Sequence, residues 1–263
     1  MDTTENKAHV DNLTDRILCL ALDVGEGILR NGGEINRVED TIERICTAYG
    51  AAHVEVFTII SVIHAAIRMP DGSYSSQMRR VKVTSNNLAK LEEFNALSRY
   101  ICKGKPSFEE FDKKIKEVKA HRAYPKSLQV AASGVATGGF ALFFGGSLMD
   151  ALVAAILGII IAFVDMYSSK RLNIMAKTVI SSFAATILAA LSVKLGIGDS
   201  VDYIMIGAIM VLVPGVAFGT AMRDLLCGDL LAGTLKTLQA CMLALMIAFG
   251  YMMGMMVMGG MGI

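Results

Sequence analysis

The spacing of apolar residues changes character several times along the chain. Leu13, Ile17, Leu20, Val24 and Ile28 recur at helical spacing, with Asp15, Arg16, Asp23 and Arg30 between them. This pattern predicts an amphipathic helix that Asn31-Gly32-Gly33 ends. A second helix is predicted from Ile35, Val38, Ile42 and Ile45 on one face, with Gly50 as its stop. From Val54 to Ile67 the chain is rich in β-branched residues, and Met69-Pro70-Asp71-Gly72-Ser73 carries strong turn chemistry. A short strand around Met78–Val83 would complete a hairpin. Two more helices follow. One carries Leu88, Leu91, Phe94, Leu97 and Ile101; the other opens with the capping-box spacing Ser107-Phe108-Glu109-Glu110 and would bury Phe108, Phe111, Ile115 and Val118.

Beyond Pro125 the alternation disappears. Five apolar stretches lie near 128–146, 149–167, 174–195, 203–219 and 237–260. Each approaches the ~20 residues that an α-helix needs to cross the hydrocarbon of a bilayer. They are rich in Gly, Ala and Ser, which let membrane helices approach closely. The predicted fold is an α-helical polytopic membrane protein of about five transmembrane helices with an N-terminal cytoplasmic α+β domain. The head would occupy 1–124 and the transmembrane domain 125–263.

Charge sharpens that division. Net charge is only +1, but residues 1–127 hold 19 Lys/Arg and 18 Asp/Glu, leaving six of each for the rest of the chain. By the positive-inside rule three basic segments mark one side: Lys116, Lys119, Arg122 and Lys126; then Lys170, Arg171 and Lys177; then Arg223 and Lys236. The alternate loops hold Asp150, Asp199 and Asp202, with Lys194 nearby. The head and the basic loops are therefore expected in the cytoplasm and the C-terminus outside. The acidic, polar N-terminus has no apolar core, so the first transmembrane helix is expected to target the chain. The expected location is the plasma or inner membrane of a prokaryote. Balanced charge and the lack of any recognisable motif speak against nucleic acid as a partner. Five scattered cysteines, none spaced as CxxC, give neither a disulfide framework nor a zinc site.

Candidate chemistry concentrates after the fourth stretch. Pro214-Gly215 interrupts an apolar span, and a broken helix frees backbone groups of the kind transporters place at substrate sites. Arg223, Asp224, Gly228 and Asp229 follow in otherwise apolar surroundings, where ionisable residues are functional candidates by default. Asp224 or Asp229 could exchange a proton, and Arg223 could meet a substrate carboxylate in bidentate fashion. Arg223 and Asp224 also read as the interfacial end of the fourth helix, neutralising each other. Asp165, near the inner end of the second span, reads as an interfacial carboxylate and is kept as a further candidate. Asp150 reads as a helix N-terminal residue favoured by the helix dipole. The tail methionines Met252, Met253, Met255, Met256, Met258 and Met261 could bind Cu(I), but they also read as adaptable apolar filler. No Cys or His lies close by in the tail, and neither a metal nor a cofactor is expected. Ser61, Ser73, His53, His64, Asp71 and Cys46 are ingredients of a nucleophilic site without its spacing. An enzyme is not expected.

The run Ile28-Leu29-Arg30-Asn31-Gly32-Gly33-Glu34-Ile35-Asn36-Arg37-Val38-Glu39-Asp40-Thr41, then Ala48-Tyr49-Gly50 and Val54-Glu55-Val56-Phe57, resembles the head of the threonine/serine exporter family. Asn87–Leu91 and Asn95–Arg99 fit the same pattern. Pro214-Gly215, followed by Arg223-Asp224-Leu225-Leu226-Cys227-Gly228-Asp229-Leu230-Leu231-Ala232-Gly233, resembles its membrane signature. The resemblance implies a cytoplasmic head, five transmembrane helices, and export of small hydrophilic metabolites, threonine or serine above all, driven by the proton gradient. It also implies the larger component of a two-chain exporter whose partner is a short membrane protein, in a homo- or hetero-oligomer. Some such pairs are associated with dicarboxylates such as succinate. By motif it carries over Pro214, Gly215, Arg223, Asp224, Gly228 and Asp229 in the membrane half. In the head it carries over Glu34, Arg37 and Glu39, although Glu39 and Glu43 with Arg37 and Arg44 also read as ordinary solvated helix charges.

Overall fold

The structure is a computed structural model that describes residues 3–82, 85–121, 124–168 and 173–260. Arg122, Lys170, Arg171, Met261 and the end of the predicted strand at Val83 lie outside the described residues. The chain divides into two compact units, Met1–Ala123 with Val216–Thr237, and Tyr124–Gly215 with Leu238–Ile263.

The first unit combines helices with a small sheet. Its elements are α1 (Thr3–Arg30), α2 (Ile35–Ala48), β1 (His53–Ile59), β2 (Val62–Arg68), β3 (Tyr74–Arg80), α3 (Leu88–Gly104) and α4 (Phe108–Ala120). α9 (Gly215–Cys227, all but its first residue) and the opening turns of α10 (Leu230–Gly260) complete it. The stretch read as one β-rich segment is two strands, turned at Ile60-Ser61, and the sheet is an antiparallel meander β1-β2-β3. β3 begins earlier than Met78, at Tyr74, because Ser75, Ser76 and Gln77 pair with Ile67, Ala66 and Ala65. Those polar residues carry no hydrophobic signal. Two of them are held by the first helix, Ser75 by the Asp15 carboxylate and Gln77 by the Asp15 carbonyl. Apolar side chains from α1 to α4, the sheet and the start of α10 make one core, with Leu18, Leu22, Ile42, Ile63, Phe94 and Phe111 fully buried. At the head of α4, Ser107 accepts the Glu110 N–H, as the capping spacing predicts.

The second unit is helical: α5 (Lys126–Phe143), α6 (Leu148–Ser168), α7 (Ile174–Lys194), α8 (Val201–Met210) and α10 from Leu238 onward. Its core mixes alanines, including Ala141, Ala154, Ala185, Ala189 and Ala208, with Leu157, Ile161, Ile204 and Met205, while Val135, Phe143, Leu148 and Met256 point outward. So many large apolar side chains on the outside suit lipid rather than water as the surrounding solvent. Gly250 and Gly254 let α10 lie against Ser182 and Thr186 of α7. Ser182 donates to the Ile247 carbonyl.

Among the described residues three helices are long and apolar enough to cross a membrane: Leu148–Met166, Ile174–Lys194 and Leu230–Gly260. The number rises to four if α8 and α9 together make one span, interrupted between Met210 and Gly215. α5 occupies the expected first stretch but is less apolar than these, because Lys126, Ser127 and Gln129 fall inside it. Pro214 explains the interruption: it has no N–H to donate and forces the residue before it out of the helical region.

Candidate functional site

α2 starts without a cap of its own. Glu34 sits at the N-cap in extended conformation, yet its side chain accepts no backbone N–H there. The four leading N–H groups of a helix need partners. Asp224, on α9, supplies one from 189 residues away, its carboxylate oxygen 3.1 Å from Ile35 N. Asp224 is 1% exposed, and its other oxygen lies 2.6 Å from the ammonium of Lys236, 13% exposed, on α10. That ammonium also donates to the Gly33 carbonyl at 3.3 Å. Beside this pair Arg223 donates to Glu34 at 2.8 Å. The two segments that carried the resemblance, 28–41 and 223–233, thus meet in one polar cluster, joined by Lys236 just beyond the second. Arg223 and Asp224 do not neutralise each other, as the interfacial reading expected; each pairs with a different residue, Glu34 and Lys236.

Gly228 ends α9 with φ +98°, a conformation glycine adopts without strain, and the next amide, Asp229 N, bonds back to the Asp224 carbonyl. The turn carries Asp229 into the same region. Its Oδ2 is buried with no hydrogen-bond partner among the described residues. Burial pushes the Asp229 carboxyl above its ordinary range, the Asp224 charge adds to this, and Lys236 opposes it. Glu39, on α2, is raised by burial too, against the pull of the Thr58 N–H at 2.7 Å and with a further push from Asp229. Asp229 lies between α9 and α10, outside the candidate spans.

Two other predicted residues stand apart from the cluster. Arg37 bonds Asn95 on α3 and lines a small pocket with Arg44 and Arg99. Asp165 is on α6 in the second unit, paired with Lys177 of α7. Pro214 immediately precedes α9 and Gly215 opens it, where Gly215 N reaches the Val213 carbonyl. Asp150, near the start of α6, is buried and accepts N–H groups from Ser147, Asp199 and Ser200, so it caps a helix and a loop at once.

Lys236 is the site residue that the sequence reading missed. It was used only for orientation, although an isolated lysine two turns inside a long apolar helix signals a buried partner. The dispersed nucleophilic ingredients bond to different partners: His53 to Glu55, His64 to Ser76, Ser73 to Asp71 and Thr14. Burial pushes the Cys46 thiol up to about 12. Among the described residues no three His, Cys, Asp or Glu side chains gather as metal ligands.

Comparison with known proteins agrees with the signature residues. No curated protein and no solved structure matches the chain. The family model for threonine/serine exporters matches residues 19–258, running through the head and the apolar helices alike. The chain belongs to the threonine/serine exporter family.

Proposed function

We propose that this chain is the larger subunit of a proton-driven exporter of small hydrophilic amino acids, threonine or serine, in the inner membrane of a prokaryote. Its head (1–124) works in the cytoplasm and catalyses no reaction. α5, α6, α7, the interrupted α8–α9 pair and α10 make five spans, and a smaller membrane protein completes the pathway. The observation that carries this reading is the grip on the segment after the helix break. Asp224 and Lys236 are buried against the opening of α2, and Arg223 is tied to Glu34. A head that merely needed an anchor has no use for an interrupted span whose far end is fastened to it by long-range charges. A transporter does, because helix breaks are where membrane helices move and bind.

Of the two carboxylates that qualify as proton carriers, Asp224 is committed to an ion pair and a helix cap. Asp229 has a free buried oxygen and a raised pKa, and we assign the proton to it. The test is efflux of preloaded threonine, serine and succinate from cells expressing this chain, with and without its small membrane partner. Threonine or serine efflux that needs both chains, collapses with an uncoupler and loses its proton dependence in Asp229→Asn supports the reading. Succinate efflux alone would replace the substrate. No efflux in any combination, alongside a catalytic activity of the head, would overturn it.

A further inference from the structure

Within the second unit the helices α5, α6, α7 and α10, with Val211 and Leu212 just after α8, line a cavity of about 370 Å³. That is at the lower end of the ~300–1,000 Å³ typical of small-molecule pockets. Its floor is apolar, with Ile161 and Leu243, but its wall carries Gln129, Ser133, Asp165, Lys177, Thr178 and Ser181. The first turn of α7 also lines it through Ile174, and a helix N-terminus carries partial positive charge.

The charges on this wall are of both signs and only partly used. Lys177 is 13% exposed, and its ammonium pairs with the Asp165 carboxylate and donates to the Asp165 carbonyl at 2.9 Å. An ammonium has three N–H donors, so one is left. Asp165 is 71% exposed and keeps a second oxygen free. Gln129 uses its amide N–H on the Tyr124 carbonyl, which leaves its side-chain oxygen open. Ser181, buried beside Lys177 on the next turn of α7, makes no side-chain hydrogen bond among the described residues.

From this arrangement we infer that the cavity is a recognition site for a zwitterionic α-amino acid. The ligand carboxylate takes the free N–H of Lys177 and the Ser181 hydroxyl, and its ammonium takes Asp165 and the Gln129 oxygen. The inference rests on the exporter reading for its biological meaning but not for its chemistry. A lysine and an aspartate that neutralise each other leave the site neutral. A zwitterion divides between them and keeps it so, with each charge still meeting its opposite. A dicarboxylate brings two negative charges to one lysine and sets the second against Asp165. Like charges held close together repel, so the second carboxylate is disfavoured beside Asp165. The Ser133 and Thr178 hydroxyls already satisfy helix carbonyls and take no part in this recognition.

The test is binding of radiolabelled L-threonine to the full-length chain in lipid nanodiscs, with competitors. L-serine is expected to compete closely. N-acetyl-L-threonine lacks the ammonium, L-threonine methyl ester the carboxylate, and succinate carries two carboxylates; each is expected to be weaker by about ten- to a hundredfold, the loss of one charged contact. Asp165→Asn, at an exposed position that folding tolerates, should weaken threonine by a similar factor while leaving N-acetyl-L-threonine unchanged. Lys177→Met should weaken threonine and leave the methyl ester unchanged. Absence of threonine binding, equal competition by succinate or the acetylated ligand, or full affinity in Asp165→Asn would overturn the inference. Selective binding in a chain that exports nothing would sink the exporter reading and leave this site standing. Efflux that persists with unaltered binding in Asp165→Asn would do the reverse.

Discussion

Replacing Lys236 by methionine removes a cation that faces a carboxylate only 1% exposed. Asp224 would keep the Ile35 N–H at 3.1 Å and lose the ammonium at 2.6 Å. Breaking a buried ion pair from one side costs about 3–5 kcal/mol, because the remaining charge stays buried without compensation. Asp224→Asn should cost less, about 1–3 kcal/mol, since the amide oxygen still caps α2 and Lys236 still bonds the Gly33 carbonyl. The double substitution Asp224→Asn/Lys236→Met removes both charges and keeps the cap, so it should recover at least ~2 kcal/mol relative to Lys236→Met. The assay is thermal unfolding of the full chain in detergent, followed by helical circular dichroism. At roughly 2–4 °C per kcal/mol, Lys236→Met should lower the midpoint by about 10 °C. A shift under about 2 °C, or a double variant as unstable as the single one, would refute the reasoning that this pair holds α9 and α10 to the opening of α2.

The neighbouring carboxyls give a pH prediction. A folded-state pKa raised above the unfolded value means stability is fully present below the ordinary carboxylate range and is lost as pH rises through the raised value. Glu39 and Asp229 both act in this direction. The midpoint of Asp229→Asn should therefore fall less steeply than wild type as pH rises above the ordinary carboxylate range, and parallel curves would show that Asp229 titrates normally. Arg223→Ala removes a pair whose arginine is 64% exposed, so stability should change by under ~1 kcal/mol. If efflux nevertheless collapses in that variant, the arginine acts on substrate or on the moving span, whereas unchanged efflux would make it a surface contact. Gly207 on α8 faces α5 so closely that a Cβ would lie 2.6 Å from the Thr137 carbonyl. Gly207→Ala should cost about 1–3 kcal/mol by forcing the two helices apart, and an unshifted melting midpoint would contradict the close crossing.

Much of this molecule is legible one segment at a time. Ile35, Val38, Ile42 and Ile45 mark a buried face because a helix repeats every 3.6 residues, and all four are buried in α2. Ser107 announces the start of α4 because its hydroxyl serves an amide three residues on. Pro214 announces the interruption after α8 because its ring denies the helix an N–H. β3 was misplaced for the opposite reason. Its Ser75, Ser76 and Gln77 have no hydrophobic period, and their strand conformation comes from pairing with β2 and from Asp15.

The sequence by itself determined the division between a charged first half and an apolar second half, the elements with a clean period, and the family. These are set by burial preference and backbone restriction, which act over a few residues. Only the tertiary structure decided that Asp224 caps a helix 189 residues away, that Lys236 is its partner, that Glu34 takes Arg223, and that Asp165 and Lys177 share a cavity wall. Charge pairing is non-directional along the chain and leaves no spacing to read. It is fixed only when folding brings two distant groups into a place from which water is excluded.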